Sequence, residues 1–173
     1  MGVGKSTVAR KLADKLHAKY ISIDKVLENH NLDKVEGKAI PVENFLKANE
    51  LVFPMVKETI SRGIPVVFDG NFYYKRQLGD LEYLMETIQT GINRYAFDLK
   101  ASLKTCIKRD RKRHGSYGPD ATEAVYKAVS KFKYGTPINT QRRSADAVVR
   151  EIMENIEKKK PYHMLNNQKS KHN

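Results

Sequence analysis

The sequence predicts an α/β fold in which helices cover both faces of a mostly parallel sheet. Short β-type runs alternate with helical segments along the chain, and these connections are long enough to bring each strand back parallel to an earlier one. The size agrees, because 173 residues with a hydrophobic fraction of 40% suit one globular domain with one core. We expect that domain to span residues 1–157.

The first half of the chain is predicted to hold two strands among its helices. Apolar residues at steps of four predict a helix over residues 6–18, and a β-type run at 19–23 follows it. The apolar face of residues 41–61 predicts one long helix, or two shorter ones divided at Pro54. The β-branched and aromatic run at 64–68 predicts a buried strand.

The second half is predicted to alternate in the same way. The pattern predicts, in order, a helix at 78–88, a strand at 92–99, a basic helix at 102–113, a loop at 115–119, a helix at 121–132, a weak strand at 137–139 and a closing helix through 148–156. Residues 158–173 are predicted to form a disordered basic tail.

The positive charge is concentrated in two segments. The chain contains 32 Lys and Arg against 20 Asp and Glu, a formal net charge of +12. Residues 100–113 hold seven positive side chains and one acid, and residues 158–173 hold five Lys and no acid. These two segments account for nearly all of the excess, so they are the candidate contacts for a nucleic acid.

Several classes of protein are excluded by composition. No apolar run approaches the length that spans a bilayer, and no secretory signal opens the chain. One cysteine, Cys106, excludes an internal disulfide, and the five His are scattered without the spacing of metal ligands. We expect a soluble, cytoplasmic protein that does not contact membranes.

The chain opens with the second half of a phosphate-binding loop. The second half of the pattern G-x-x-x-x-G-K-[ST], with Gly4 as its second glycine, is matched directly in front of the first helix by Gly2, Val3, Gly4, Lys5, Ser6 and Thr7. Glycines let the backbone wrap a phosphate, and the N–H groups and dipole of the helix start attract it. Lys5 would neutralise the outer phosphates and the Ser6 hydroxyl would bind Mg²⁺.

The first half of this pattern is absent. Its first glycine would lie before Met1, and so would the strand that normally leads into the loop. We expect the natural chain to begin upstream, because a loop without its strand lacks an anchor and a buried neighbour in the sheet. The alternatives are a departure from the fold and a chance helix cap rich in Gly, Lys and Ser.

Four segments in this order resemble a small P-loop kinase. They are the loop at residues 2–7, Ile23-Asp24, Phe68-Asp69-Gly70-Asn71-Phe72 and the basic stretch 106–113. The similarity is to the adenylate-kinase-like group, which includes polynucleotide-kinase-like and other AAA-type ATP-binding kinases, and it covers roughly residues 1–157. It implies the three-layer sandwich of P-loop NTPases, without its first strand, and ATP and Mg²⁺ as cofactors.

The resemblance assigns roles to two acids that end predicted strands. Asp24 would orient the attacking hydroxyl of the acceptor, although Asp is also a common helix N-cap. Asp69 would hold Mg²⁺ directly or through water, although Asp-Gly after a strand is also a common turn. The stretch from Asp69 to Phe72 differs from the Asp-Gly-Phe-Pro of adenylate kinases, since Asn71 is inserted and no Pro follows.

Three arginines complete the predicted site. Arg109 and Arg113 are spaced i, i+4, so that one helix face would present both to the transferring phosphoryl group, and the segment 109–120 would close as a lid. The alternative is a solvated basic face. Arg142 would border the nucleotide base, where a guanidinium stacks on an aromatic ring.

The acceptor side is less well defined by the sequence. Candidate polar contacts are Asn44, Asn49, Lys75 and Arg76. Phe72-Tyr73-Tyr74, beside Lys75 and Arg76, would suit the stacking of a base. The alternative is that these aromatic residues are partly buried at the start of a helix.

Two functions follow from these patterns. The first is an ATP- and Mg²⁺-dependent phosphotransferase whose acceptor is a nucleotide, a nucleic-acid 5′ end or a small metabolite. The second is a basic nucleic-acid-binding module that binds a nucleotide but transfers nothing, through the helix at 100–113 and the tail. A polynucleotide 5′-kinase would combine them.

Overall fold

The computed structural model describes residues 2–35, 39–88 and 91–158. The chain forms two compact units: a terminal unit of Met1–Val8 and Gly91–Asn173, and a middle unit of Ala9–Thr90. The single domain predicted over 1–157 stays a prediction. The tail is predicted to be disordered over residues 158–173. Residues 159–173 lie outside the part of the chain that the structure describes.

The middle unit contains two parallel strands and their helices. Its elements, with the first helix starting in the terminal unit, are α1 (Lys5–Leu16), β1 (Lys19–Ser22), α2 (Ile23–Asn29), α3 (Val42–Ser61), β2 (Val66–Asp69) and α4 (Lys75–Glu86). Lys19 of β1 pairs with Val66 of β2, and the register continues to the pair Ser22 and Asp69. The last residues of both strands therefore lie side by side.

The core of the middle unit is built on one face of α3. Its buried apolar residues are Ile21, Ile23, Leu27, Phe45, Ala48, Val52 and Val56. The four from α3 recur every three or four residues, which is the period of one helix face. Pro54 lies inside α3, which nevertheless remains a single helix, because Val52 and Val56 on either side of it are buried in the core.

The terminal unit repeats the arrangement of parallel strands with helices. After the start of α1, its elements are β3 (Phe97–Lys100), α5 (Leu103–Arg111), α6 (Pro119–Ser130), β4 (Thr136–Asn139) and α7 (Ala145–Lys158). Phe97 pairs with Thr136 and Lys100 with Asn139. Buried apolar residues of this unit are Val8, Cys106, Ile138, Val148, Val149 and Ile152.

The predicted α/β class and the parallel strand direction are confirmed. The described strands form two parallel ladders of two strands each, whereas the sequence pattern predicts one sheet. β3 is also shorter than the predicted strand at 92–99, because its partner β4 has only four residues to pair with. No helix of the described part of the chain has the length and apolar character of a membrane span.

The basic helix ends earlier than predicted, and the loop that follows is tied back to it. α5 ends at Arg111, with Lys112 as its C-cap. Asp110, which is 1% exposed, accepts hydrogen bonds from the Ser116 hydroxyl (2.8 Å) and the backbone N–H groups of Tyr117 (3.0 Å) and Gly118 (3.2 Å). The segment predicted as a hinge is thus held by one buried carboxylate.

The hydrogen bonds to Asp110 also determine its ionisation. Burial by itself would raise the pKa of this carboxyl, but the bonds from Ser116, Tyr117 and Gly118 and the charge of Arg113 outweigh it, and the pKa is lowered. A lowered folded-state pKa stabilises the fold above the unfolded-state value of about 4, and this contribution disappears as the pH falls through the folded-state pKa.

Asp110→Asn is expected to destabilise the protein at neutral pH by about 1–3 kcal/mol, because the three bonds converge on Oδ2 and a neutral amide oxygen accepts them less strongly than a charged carboxylate. Urea unfolding between about pH 6 and about pH 2 should show a smaller loss of stability on acidification for the variant than for the parent. The exposed Asp33 gives the control Asp33→Asn. Parallel pH profiles for Asp110→Asn and the parent would contradict this assignment.

Candidate functional site

The glycine-rich segment at the start of the chain leads directly into α1. Gly2 has φ +68° and Gly4 has φ +95°, backbone conformations that favour glycine. α1 begins at Lys5, and the Val8 N–H donates to the Gly4 carbonyl (3.0 Å) as the first helical bond. The N–H groups of the first turn have no acceptor within the helix, so this end of α1 is suited to an anion.

The loop packs tightly against α5 within the terminal unit. A Cβ added at Gly2 would lie 2.2 Å from the carbonyl oxygen of Cys106, which no side chain can tolerate. Cys106 itself is buried and free, and burial raises the pKa of its thiol. The requirement for glycine at position 2 therefore comes from this close approach as well as from its backbone angle.

Arg109 contacts the loop directly. Its Nη1 donates to the Val3 carbonyl (3.2 Å) and to Oγ1 of Thr140 (3.1 Å), and its Nη2 donates to the Thr140 carbonyl (2.7 Å). The structure thus brings one predicted catalytic arginine to the predicted phosphate loop. Three of its N–H donors are already used by these protein groups, which the prediction did not anticipate.

Arg113 does not share a helix face with Arg109, so the predicted i, i+4 arrangement is wrong. α5 ends at Arg111, two residues before Arg113, because the chain turns back to satisfy Asp110. Arg113 is exposed, and its guanidinium lies over the ring of Tyr117, 4.9 Å from the centroid. Its proposed contact with a phosphoryl group stays a prediction.

Asp69 ends β2 in the middle unit and is 2% exposed. The Tyr20 hydroxyl donates to its Oδ2 (2.7 Å). Tyr20 is the register partner of Val67, and side chains two residues apart on a strand share one face, so Tyr20 reaches Asp69 diagonally across the ladder. Arg10 in turn covers the Tyr20 ring at 4.5 Å from its centroid.

The environment of Tyr20 favours its neutral, proton-donating form. Burial and the adjacent Asp69 carboxylate raise the pKa of its hydroxyl. The hydroxyl therefore remains a hydrogen-bond donor to Asp69 across the physiological pH range. Sequence reasoning missed Tyr20, because its partner is 49 positions away and the pairing of β1 with β2 is visible only in the structure.

Asp24 lies at the same edge of the middle unit as Asp69. It is an exposed residue in the first turn of α2, directly after β1, and Ser22 at the end of β1 pairs with Asp69. The N-cap of α2 is Ser22, whose side chain accepts from the Lys25 N–H (3.4 Å). The alternative role of Asp24 as the N-cap is therefore wrong, and the role in acceptor binding stays a prediction.

The donor set predicted for Mg²⁺ fits that ion. Ser6, exposed in the terminal unit, and Asp69, buried in the middle unit, offer a hydroxyl and a carboxylate oxygen, and Mg²⁺ prefers oxygen ligands, often one or two protein groups with phosphates and water. Within the described residues no group of three or more His, Cys, Asp or Glu forms a site for a metal ion.

Arg142 is exposed and has φ +55° in the turn after β4. Its neighbour Arg143 pairs with Glu151 and donates to the Ala147 carbonyl (3.0 Å). Ser144 caps α7, because its side chain accepts from the Ala147 N–H (3.2 Å). The predicted contact of Arg142 with a base stays a prediction.

Most of the polar residues considered for the acceptor are engaged inside the middle unit. Asn44 donates to the Leu32 carbonyl (2.9 Å), and Asn49, 1% exposed, donates to Oδ2 of Asp80 (2.9 Å). Arg76 pairs with Glu43 at 3.3 Å. Asn49 is thus used inside the core and Asn44 in a partly buried contact, whereas Arg76 is in an exposed ion pair, and their role towards an acceptor stays a prediction. Lys75 is exposed at the start of α4.

The aromatic residues before α4 pack into the core. Tyr73 and Tyr74 lie 5.7 Å and 6.0 Å from Phe45, measured between ring centroids, and the Tyr74 hydroxyl donates to the Ile40 carbonyl (2.8 Å). These contacts agree with the partly buried aromatic residues that the sequence allowed, and they leave the stacking of a base unsupported.

Tyr20→Phe is expected to lower the free energy of unfolding by about 1–3 kcal/mol, because it leaves the ring under Arg10 but removes a hydrogen-bond donor from buried Asp69. Urea unfolding monitored by circular dichroism measures the change. Tyr83 is 67% exposed, so Tyr83→Phe is the matched control and should change stability by less than about 0.5 kcal/mol. Equal stability of the two variants would disprove the role of the Tyr20 hydroxyl.

The chain matches a known family over most of its length. Residues 1–135 match the model of an AAA domain. A protein of Pyrococcus furiosus named "Putative adenylate kinase" is 40% identical over 70 residues, which are 40% of this chain and 36% of that protein. The match thus spans only about a third of the length of this relative.

Solved kinase structures have the same fold. A sugar kinase from Janibacter sp. HTCC2649 is 13% identical with a TM-score of 0.67, covering 88% of this chain and 87% of its own. A gluconokinase from Sinorhizobium meliloti 1021 is 14% identical with a TM-score of 0.61, covering 99% and 93%. The APS kinase of Mycobacterium tuberculosis, solved with AMPPNP and APS, is 18% identical with a TM-score of 0.61, covering 90% and 92%.

These likenesses agree with the phosphate loop at residues 2–7 and with the parallel strands of both units. At such identities the solved structures show the fold alone, and the match over residues 1–135 shows the family. The chain belongs to the AAA domain family and has the α/β fold of the small P-loop kinases.

Proposed function

We propose that this chain is an ATP- and Mg²⁺-dependent phosphotransferase that moves the γ-phosphoryl group to a hydroxyl or phosphate acceptor. The observation that carries the proposal is the loop at residues 2–7, in which Gly2 and Gly4 adopt left-handed backbone angles directly before a helix start. This geometry suits a bound phosphate. Membership of the AAA domain family and the kinase fold support the same class of activity.

Most of the catalysis proposed here is positioning and charge stabilisation. Lys5 and the N–H groups of the first turn of α1 would bind the ATP phosphates. Ser6 and Asp69 are each proposed as an oxygen ligand for Mg²⁺, which would neutralise charge on those phosphates when bound. Tyr20 would keep the Asp69 carboxylate oriented through its bond to Oδ2.

The remaining predicted residues act on the acceptor side and on the transferred group. Asp24 is exposed at the carboxyl edge of the middle unit, where it would accept a hydrogen bond from the attacking hydroxyl. Arg109, through the N–H donors not used by Val3 and Thr140, and Arg113 would stabilise charge on the phosphoryl group. Arg142 would border the base.

The proposed acceptor remains a class of groups. The proteins to which the chain is similar include one named "Putative adenylate kinase", a sugar kinase and an APS kinase, and these names differ in the acceptor. A nucleotide, a nucleic-acid 5′ end and a small metabolite are all within the proposal. We also propose a cytoplasmic location, since the one cysteine of the chain is free.

Lys5→Ala is expected to weaken the binding of Mg·ATP by at least about tenfold, because a charge-assisted contact to the outer phosphates contributes about 1.5–3 kcal/mol. Titration calorimetry with the full chain measures the dissociation constant. Unchanged affinity would refute the assignment of the loop.

The variant Asp24→Asn serves as the control for that measurement. It should bind Mg·ATP like the parent, because Asp24 is assigned to the acceptor. A screen of nucleotides, 5′-hydroxyl RNA and small hydroxyl compounds for transfer of labelled γ-phosphate tests its role. Full transfer by Asp24→Asn with any acceptor that the parent uses would remove Asp24 from the mechanism.

The exposed face of α5 supports a second candidate function, the binding of a nucleic acid. Lys104, Lys108 and Arg111 are exposed and share one face by their spacing, and within the described residues none of them makes an ion pair. Exposed cations elsewhere do pair, as Lys25 does with Glu28 and Lys127 with Glu123.

The reason for this difference is local. The only acid of α5 is Asp110, and its buried carboxylate is used by the loop after the helix. The positive face of α5 therefore has no acidic neighbour on its own helix to neutralise it. Contacts from such a face to phosphates would be insensitive to sequence and sensitive to salt.

The triple variant Lys104→Glu, Lys108→Glu and Arg111→Glu is expected to abolish binding to a labelled single-stranded RNA, measured by fluorescence anisotropy at about 50 and about 200 mM salt. A control triple variant changes the net charge equally at paired cations: Lys25→Glu, Lys47→Glu and Lys127→Glu. Equal loss in both variants would show a general charge effect and would remove α5 as the interface.

A further inference from the structure

The carbonyl of Val3 is held by two donors from other parts of the terminal unit. The Thr140 hydroxyl lies 2.9 Å from this oxygen, and Nη1 of Arg109 lies 3.2 Å from it. Val3 stands in the middle of the phosphate loop, while Thr140 follows β4 and Arg109 lies on α5. Segments distant in sequence thus meet at one peptide group of the loop.

Thr140 is buried and its hydrogen bonds are fully used. It is 3% exposed. Its N–H donates to the Lys100 carbonyl (2.8 Å), its carbonyl accepts from Nη2 of Arg109 (2.7 Å), and its Oγ1 accepts from Nη1 of Arg109 (3.1 Å). Its single hydroxyl proton therefore goes to Val3 or to the more distant Lys100 carbonyl (3.2 Å). The Val3 carbonyl is the nearer of the two acceptors, so the hydroxyl proton is assigned to it.

Holding the Val3 carbonyl also aims the next N–H group. The Val3 C=O and the Gly4 N–H belong to one planar trans peptide, in which they point in opposite directions. With the oxygen held by Thr140 and Arg109, the Gly4 N–H points away from these two residues. In a phosphate loop the N–H groups are the ligands for the anion, so the orientation of this peptide decides whether one of them is available.

The residues on either side of this peptide are restrained by other contacts. Gly2 packs against the Cys106 carbonyl, and the Gly4 carbonyl accepts from the Val8 N–H (3.0 Å). At Gly4 itself, φ is +95° and nothing lies within 4 Å of an added Cβ, and glycine adopts positive and negative φ with similar ease. The bonds from Thr140 and Arg109 are therefore the contacts that hold the oxygen of the Val3–Gly4 peptide.

We propose that Thr140, together with Arg109, is a positioning residue that locks the Val3–Gly4 peptide in the orientation that binds phosphate before the nucleotide arrives. This inference rests on the proposed function. Sequence reasoning did not identify this role for Thr140. Arg109 acquires a role in the ligand-free protein, in addition to its proposed contact with the phosphoryl group. The gain is preorganisation, because the loop need not be ordered on binding.

The test compares Thr140→Val, which keeps the shape but removes the hydroxyl, with Thr140→Ser, which keeps the hydroxyl. Calorimetry should show Thr140→Val weakening both ATP and ADP by about tenfold, the value of about one hydrogen bond, with Thr140→Ser close to the parent. Equal effects on ATP and ADP are expected because the orientation of the loop matters for the phosphates that both ligands share.

A second measurement needs no nucleotide. Hydrogen exchange in the ligand-free protein, followed on a peptide that covers residues 2–8, should be faster in Thr140→Val than in the parent. Thr87→Val removes an exposed hydroxyl and is the matched control, with exchange and affinity unchanged. Arg109→Lys should also accelerate exchange, because the single ammonium group of Lys cannot reproduce the bonds of the two guanidinium nitrogens to Val3 and Thr140. The double variant with Thr140→Val should be less impaired than the two single effects predict, because both act on one peptide.

The outcomes separate this inference from the proposed function. Parental exchange and parental affinity in Thr140→Val would overturn the inference and leave the kinase proposal intact. An effect on ATP without any effect on ADP would also overturn it. Failure of the parent chain to bind ATP would count against the proposed function, and the exchange rates of Thr140→Val and Arg109→Lys would still decide whether the contacts hold the loop. If Thr140→Val does not fold, the comparison of Arg109→Lys with the parent decides.

Discussion

Parallel pairing of strands is the constraint on which the candidate site depends. In a parallel ladder the carboxyl ends of neighbouring strands lie at one edge, and residues that follow those strands collect there. In the middle unit this edge brings together the ends of β1 and β2, and hence Asp69 and the first turn of α2 with Asp24. In the terminal unit Thr140 follows β4 at the corresponding edge. Asp69, Asp24 and Thr140 therefore lie at or just after the carboxyl end of a strand.

Buried polar groups maintain the geometry at these edges. Asp69 is held by Tyr20, Asp110 holds the loop after α5, and Thr140 joins β4 to the phosphate loop. In each contact one partner (Asp69, Asp110 or Thr140) is at most 3% exposed, and a lost partner there leaves a desolvated group whose cost exceeds the net value of the bond. The same side chains would contribute little on the surface. Burial is what makes these few hydrogen bonds able to determine the shape of the loops.

The basic residues of α5 divide into two kinds. Arg109 points its donors at backbone carbonyls and is part of the structure, whereas Lys104, Lys108 and Arg111 remain exposed. Fork geometry suits Arg109 to its position, since one guanidinium satisfies the Val3 carbonyl and both oxygens of Thr140. The exposed group provides net charge that favours a polyanion. One short helix thus carries both an arginine that holds the loop at residues 2–7 and a group of exposed cations.

Local patterns in the sequence determined the elements and the loop. Periodicity predicted α3, α7 and the strands at 19–23 and 64–68, and the glycine spacing at residues 2–7 predicted a phosphate loop, because these signals depend on neighbours in sequence. Where α5 ends, which residue caps α2 and what Arg109 contacts were decided by tertiary structure. The end of α5 depends on Asp110 bonding to residues beyond the helix, and the roles of Tyr20 and Thr140 depend on partners 49 and 137 positions away. No local pattern carries such contacts, because they exist only once the strands have paired.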